Sequence, residues 1–500
     1  MSEGNRSGLI ERRRQLGTTE QAAILVGGAT YTHAAVERRA GAVARLLLGE
    51  RATLGGARVG LLARPSIEWV AGFFGVIEAG GVVVPMSPQH PDPELLYMAG
   101  DAGIEALLTD RAHEGRAAGA PGARWLLEEA GEVEEQERPG LAPEDGALLL
   151  YTSGTTGKPK GALLTHGNLE AQTRLLAEAW GITEQDRLLH TLPLHHMHGV
   201  VIALLTVLQA GASAELLPRF DPREVWEGFG RATIWMGVPT MYHRLLEALD
   251  RATTEEQRRW AALGRGLRLA TSGSAALPAT LSERWGELTG TIPLERFGMS
   301  ELGVALSNPL AGPRRVGSVG RPLPGVAIQV VDGQGVPVPA GEAGELVVRG
   351  PTVFAGYLGR EQATREAFRE GWFLTGDTVL QEADGYLRIL GRTSVDILKS
   401  GGYKLSALEI EEELRAHPGV AEVAVVGLPD EQWGERVAAV VVRKQGLTHP
   451  VTMAELQAFC RERMAPYKIP RSWFFVEELP RNALGKVLKP ALRQALQGTG

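Results

Sequence analysis

Residues 151–161 read Tyr-Thr-Ser-Gly-Thr-Thr-Gly-Lys-Pro-Lys-Gly, a set of residue types suited to gripping an anion. Gly154, Gly157 and Gly161 carry no side chain, so backbone N–H groups can close on a ligand there. Ser153, Thr155 and Thr156 add hydroxyl donors, and Lys158 and Lys160 add positive charge. The chemistry is that of a loop holding a polyphosphate. It is not a Walker loop, because the order Gly-x-x-x-x-Gly-Lys-Ser/Thr is absent and Pro159 follows Lys158.

Further clusters carry weaker signals. Leu294–Glu301 joins an aromatic (Phe297), a glycine (Gly298), a hydroxyl (Ser300) and a carboxylate (Glu301). An aromatic beside a glycine can form a stacking wall, and a carboxylate near phosphates can hold Mg²⁺. Asp377, closing Trp372–Asp377, could accept hydrogen bonds from ribose hydroxyls. Arg392 stands at a change of texture along the chain, and Lys486 closes the polar stretch Pro480–Lys486. Taken singly, each of these last three segments also reads as an ordinary turn or surface charge. His195, His196 and His198 invite a zinc reading with His196 and His198 on one strand face, but no third ligand is evident. Lining a substrate channel, or gating solvent, suits them better.

The elements around these clusters alternate. The apolar runs Ala147–Tyr151 and Ala162–Leu164 flank the glycine-rich loop, giving strand, loop, strand. Helical patterns at Tyr31–Leu48, Ile67–Ala79 and Asn168–Trp180 alternate with strand patterns at Arg58–Leu62 and Val82–Pro85, which argues for an α/β architecture with buried sheets. From about Val316 to Leu390, short strands with Gly and Pro turns predict a β-rich subdomain. After Arg392 the texture becomes α+β. Capping boxes at Ser406/Glu409 and Thr452/Glu455 open helices, and strands are expected at Val420–Leu428, Arg436–Val442 and Trp473–Val476. The expected division is 1–392 and 393–500.

Bulk properties exclude several classes. The chain has 500 residues, 44% hydrophobic and 22% charged, which fits a globular protein of several structural units. A net charge of −7 gives no support for a nucleic-acid or anionic-membrane partner. Cys460 is the single cysteine, so an intrachain disulfide and a cysteine metal cluster are excluded. No apolar run approaches membrane-spanning length, and no secretory core follows Arg12–Arg14. The expected location is the cytoplasm.

In combination and order, from about residue 20 to 490, these stretches resemble the adenylate-forming superfamily of acyl-CoA synthetases, luciferases and peptide-synthetase adenylation domains. The resemblance implies a large N-terminal domain of two α/β sheet layers plus a β-rich subdomain, and a small mobile α+β C-terminal domain. It also implies two half-reactions: a carboxylate attacks the α-phosphate of Mg·ATP, and coenzyme A then displaces AMP from the acyl-adenylate. By the same resemblance Thr152, Ser153, Gly154, Thr155, Thr156, Gly157, Lys158 and Lys160 would hold the β- and γ-phosphates. Phe297, with Gly298 and Met299, would form the adenine wall, Ser300 would touch the α-phosphate and Glu301 would hold Mg²⁺. Asp377 and Arg392 would bind ribose, and Lys486 would reach the carboxylate and α-phosphate. His196 would line the acyl site, and Gly401, Gly402, Tyr403 and Lys404 would approach the pantetheine of coenzyme A. Ser394 stands at the hinge, where many relatives carry Asp or Lys.

Within the superfamily, Gly237–Tyr242, Ser272–Leu277, Leu294–Gly298, Ala305–Pro309 and Gly402–Leu408 resemble malonyl-CoA synthetases. In that branch an arginine matching Arg296 and a serine matching Ser274 meet the distal carboxylate of the acid. A guanidinium fork suits a carboxylate. The alternative is that Arg296 pairs with Glu295 or another acid and points to solvent. Met236 and Val304 are expected to border the acyl pocket. The expected substrates are a dicarboxylic acid (malonate or methylmalonate), ATP and CoA, used by a monomer or weak homodimer. A medium-chain or aromatic acyl-CoA synthetase is the alternative within the class.

Overall fold

The computed structural model describes residues 7–130, 138–152, 159–400, 403–430, 432–446, 449–481 and 487–497, with Lys404 by its backbone alone. Two large sheets form most of the molecule. In the nine-stranded sheet, Leu294–Met299, Leu269–Ser272, Ile234–Gly237, Arg187–His190, Ser213–Leu216 and Ala22–Val26 lie side by side and parallel. Antiparallel strands close both edges: Gly303–Ser307 and Arg321–Pro322 at one, Ala29–Thr32 at the other. The seven-stranded sheet runs Gly356–Tyr357, Lys160–Thr165, Gly146–Thr152, Val82–Pro85, Arg58–Leu62, Ala106–Thr109, Ala123–Leu126. Its strands Val82–Pro85 and Ala106–Thr109 are buried along their whole length, as parallel strands covered on both faces require.

One apolar core joins the two sheets, from Ile24, Leu188 and Ile234 in the first to Val59, Val83 and Leu148 in the second. A second core is a stack of buried indoles, Trp226, Trp235, Trp260 and Trp285. The β-rich part forms a sheet of Ala327–Val331, Ala343–Arg349 and Trp372–Gln381, with Phe368–Arg369 and Leu387–Arg392 also paired to Trp372–Gln381. A turn at residues 393–396, with Ser394 exposed, leads to the last sheet. There Tyr403–Ser406, Ile397–Ser400, Gly434–Arg443 and Val420–Asp430 are antiparallel, and Ser472–Val476 runs parallel to Gly434–Arg443. Each face of that sheet has its own apolar core. The α/β fold class, with large and small sheet-built parts, is the observed one. No helix among the described residues is long and apolar enough to cross a membrane.

Local differences from expectation have physical causes. Tyr31 and Thr32 belong to a strand, and the helix starts at His33 because the Thr32 hydroxyl accepts the Ala35 N–H at 3.1 Å. At Thr452 the reciprocal capping box forms with Glu455. At Ser406 only half of it forms: Ser406 Oγ accepts the Glu409 N–H, while the Glu409 carboxylate turns to Lys468 at 2.9 Å.

Candidate active site

The strands Ile234–Gly237, Leu269–Ser272 and Leu294–Met299 end along one edge of the nine-stranded sheet, where parallel strands present ligand sites. Successive side chains on a strand face opposite ways, so Glu295 and Arg296 cannot pair with each other. Glu295 accepts the Gly317 N–H at 3.1 Å, and burial pushes its carboxyl up to about 8. Arg296 is 3% exposed, and its Nε and Nη2 have no hydrogen-bond partner among the described residues. Burial lowers the guanidinium to about 9, so it is still a cation at neutral pH. The alternative, an Arg296 paired with an acid and pointing to solvent, is not what the structure has among the described residues.

The surroundings of Arg296 are shaped for it. A Cβ on Gly273 would lie 2.3 Å from the guanidinium carbon, so any larger residue would push Arg296 out of its present position. Ser274 follows with φ of +70°, a backbone strain that a serine adopts at a cost. Its Oγ lies 3.3 Å from His198 Nδ1. His198 opens a π-helical stretch, His198–Leu205, of the irregular kind often found at functional sites. Burial, then the Arg296 charge, holds the His198 pKa well below its usual value. Burial, helped by His90, brings His196 down to about 4. Both imidazoles are therefore neutral at pH 7. The Nε2 atoms of both, together with Thr271 Oγ1 and Ser272 Oγ, also lack partners among the described residues. Met236 is buried beside Thr271, and Val304, buried opposite Gly298, donates its N–H to Gln172 Oε1 at 2.8 Å.

The polar rim lies where the two sheets and the β-rich part meet. Gly146–Thr152 and Lys160–Thr165 form the hairpin that bounds the glycine-rich loop, with Thr152 opposite Lys160. Gly161 lies inside the second strand, where a Cβ would press on Leu149 at 3.0 Å; its absent side chain serves packing, which corrects its place in the anion grip. The short strand Gly356–Tyr357 adds to that hairpin and carries the Tyr357 hydroxyl to Glu301, donating to Oε1 at 2.9 Å. Lys160 Nζ sits 5.3 Å from the Tyr357 ring centroid. Glu301 lies in the turn after Leu294–Met299, and its backbone carbonyl accepts the Phe354 N–H at 2.8 Å. Burial raises the Glu301 carboxyl, opposed by the Tyr357 hydrogen bond and by Arg392 and Lys160. Asp377 and Arg392 face each other across adjacent strands, with Oδ1 and Nε 3.1 Å apart. Arg392 also donates to the Thr375 carbonyl at 2.6 Å. Phe297, Gly298, Met299 and Ser300, half-buried, lie along the strand end and turn that lead to Glu301.

The structure thus groups Arg296, Ser274, Met236 and the histidines on one side, and Thr152, Lys160, Glu301, Asp377 and Arg392 on the other. Ser153–Lys158, Gly401, Gly402, the Lys404 side chain and Lys486 lie outside the described residues. Tyr403 is exposed and stacks on Tyr467 at 4.3 Å between centroids. The zinc geometry fails: residues 195–197 form no strand, and no group of three or more metal-ligating side chains occurs among the described residues. The single carboxylate of Glu301, beside Lys160 and Arg392, suits Mg²⁺, which binds through one or two carboxylates plus substrate phosphates. Sequence reasoning missed Tyr357, Gly273 and Gln172. Gly273 alone left a trace, inside the stretch Ser272–Leu277 that carries the resemblance, but with no role of its own.

Two family models cover most of the chain: AMP-binding enzyme over residues 12–358, and AMP-binding enzyme C-terminal domain over residues 409–486. A malonate–CoA ligase of Arabidopsis thaliana is 39% identical over 96% of this chain and 86% of its own length. The mitochondrial malonate–CoA ligase ACSF3 of Homo sapiens is 42% identical over 87% of this chain and 82% of its own. Among solved structures, ATP-bound MatB from Rhodopseudomonas palustris matches with a TM-score of 0.91 and 36% identity, over 99% of both chains.

Proposed function

The chain belongs to the AMP-binding enzyme family, and from that premise we propose that it is an ATP-dependent malonate–CoA ligase of the AMP-forming type. The observation that carries the substrate is Arg296, a buried guanidinium with two donor atoms unpartnered among the described residues. A second carboxylate on the acid supplies the missing partner. The proximal carboxylate then attacks the α-phosphorus of ATP, the bond to pyrophosphate breaks, and malonyl-adenylate forms. In the second step the CoA sulfur attacks the acyl carbon, its proton is lost, and AMP leaves.

In this reading Arg296 grips the distal carboxylate with Ser274 and neutral His198 beside it, while His196, Met236 and Val304 line the acid. A methyl branch changes binding by about 1–3 kcal/mol, so methylmalonate enters the same pocket. The 152–160 loop holds the departing phosphates, Phe297 to Met299 the adenine and Ser300 the α-phosphate. Asp377 and Arg392 hold the ribose. Glu301 would hold Mg²⁺, which would supply charge neutralisation at the phosphates. Lys486 stabilises the charge that builds on the carboxylate and α-phosphate oxygens. Gly401–Lys404 guides CoA, and the part from residue 393 rotates about Ser394 between the steps. The enzyme works in the cytoplasm on small molecules, as a monomer or weak homodimer, with no nucleic-acid or membrane partner. A medium-chain or aromatic acid would require a protein carboxylate on Arg296, and no ion pair to it exists among the described residues.

Pyrophosphate release with malonate, methylmalonate, acetate and octanoate, each with and without CoA, tests the reading. Turnover is expected with the two dicarboxylic acids and far less with the others. Octanoate turned over as well as malonate removes the assignment.

A further inference from the structure

The helix Ala279–Thr289 begins without a cap of its own. The residue before it is Pro278, which offers no side-chain acceptor, although first-turn N–H groups need partners. The acceptor comes from the C-terminal part of the chain: Glu412, on the helix Ala407–Arg415, accepts the Ala279 N–H at 2.8 Å. A carboxylate is also the charge that a helix N-terminus favours. Glu412 is steadied by Arg415 at 3.1 Å. The neighbouring Glu411 accepts the Val425 N–H and binds the buried Lys489 at 2.7 Å, fixing the helix to the C-terminal sheet.

The segment just before the capped helix is the one that shapes the acid pocket. It carries Gly273 against the Arg296 guanidinium and the strained Ser274 against His198. Its end, buried Leu277 and half-buried Pro278, runs directly into Ala279. A shift at Ala279 therefore has few residues in which to dissipate before it reaches Ser274.

We propose that Glu412 is a positioning residue, a helix cap donated across the two parts of the chain that ties the 273–278 segment to the orientation of the C-terminal part. When that part turns, the carboxylate leaves the Ala279 N–H and the segment beside Arg296 loses its downstream anchor. The distal carboxylate is then gripped more tightly in the orientation described here than in the other, while the adenylate stays bound through its nucleotide. This rests on the reading that the Arg296 pocket takes the acid and that the C-terminal part rotates.

Two variants test the cap from opposite ends. Glu412→Ala removes the acceptor. Ala279→Pro removes the donor at the first helical position, where proline is favoured, and Pro278 already has the φ of −54° and ψ of 134° that suit a residue before proline. The readouts are malonate-dependent ATP–pyrophosphate exchange, thioester formation from supplied malonyl-adenylate, and Tm. Each variant is expected to raise the malonate KM in exchange about tenfold, the lower range for a charge-assisted hydrogen bond. The double variant should lose no more than either alone, Glu412→Gln should restore most of the loss, and the thioester step should be unchanged. Equal losses in both half-reactions, additive losses in the double variant, or no change in malonate KM overturn the proposal. Absence of malonate-dependent exchange in the unmodified protein would instead overturn the substrate reading, and the cap is then measured with the acid that the screen selects.

Discussion

On the rim formed by Lys160, Tyr357, Glu301, Asp377 and Arg392, charges meet partners: Tyr357 on Glu301 at 2.9 Å, Arg392 on Asp377 at 3.1 Å, and Lys160 over the Tyr357 ring at 5.3 Å. A short distance along the same strand, Arg296 is buried with two donor atoms unpartnered among the described residues. The two regions share the strand Leu294–Met299 and the turn after it, yet handle charge in opposite ways. A partnered network is rigid and pre-shaped, which suits a co-substrate such as ATP that is the same whichever acid is used. An unsatisfied buried cation destabilises the empty protein and gains only when an anion arrives, so it discriminates between acids.

The contrast can be broken most sharply at the unpaired end. Arg296→Ala should lower kcat/KM for malonate by roughly 10²–10³ or more, from the 3–5 kcal/mol lost when one partner of a buried pair is removed. Acetate, with no second carboxylate, should lose far less, and equal losses in steady-state assays of the two acids would end the contrast. Gly273→Ala sets a Cβ against the guanidinium with no φ penalty; overpacking of about 1–3 kcal/mol translates to roughly 10–100-fold on malonate kcat/KM. On the satisfied side, Tyr357→Phe should slow pyrophosphate exchange about tenfold, by the same factor for malonate and methylmalonate, since it touches Glu301 and not the acid.

The smallest effect expected is on pH dependence. His196 at about 4 and His198 well below its usual value are uncharged from pH 6 to 8, so neither should produce an inflection in malonate kcat/KM there. An acid limb near 6.5 that disappears in His198→Gln would contradict this. Glu295 acts on stability instead. Its pKa is raised by burial, from 4.5 to about 8, so between those values the folded protein holds a proton that the unfolded chain has lost. That contribution is full below 4.5 and declines as pH rises toward 8. Glu295→Gln should therefore flatten the fall of Tm over that range.

Residues whose chemistry is local were legible in the sequence, and residues whose role comes from distant contact were not. The glycine-rich loop announces itself because glycine, hydroxyl and lysine occur within eleven consecutive positions. The alternation of strand and helix was equally plain, because buried parallel strands are continuous apolar runs. Tyr357 left no sign, because its partner Glu301 is 56 positions away and the strand that delivers it has two residues. Gly161 was misplaced since a glycine that spares room for Leu149 and one that frees a backbone N–H look alike in sequence. Arg296 was recognised as a carboxylate fork, but its burial and lack of an acid partner depend on the fold of Gly273 against it.

The most direct test of the unpaired arginine is a crystal structure of the protein with malonate and a non-hydrolysable ATP analogue. The expected result is one malonate carboxylate within hydrogen-bond distance of Arg296 Nε and Nη2 and the other facing the α-phosphate. A malonate bound elsewhere, with Arg296 satisfied by a protein carboxylate, would contradict the account.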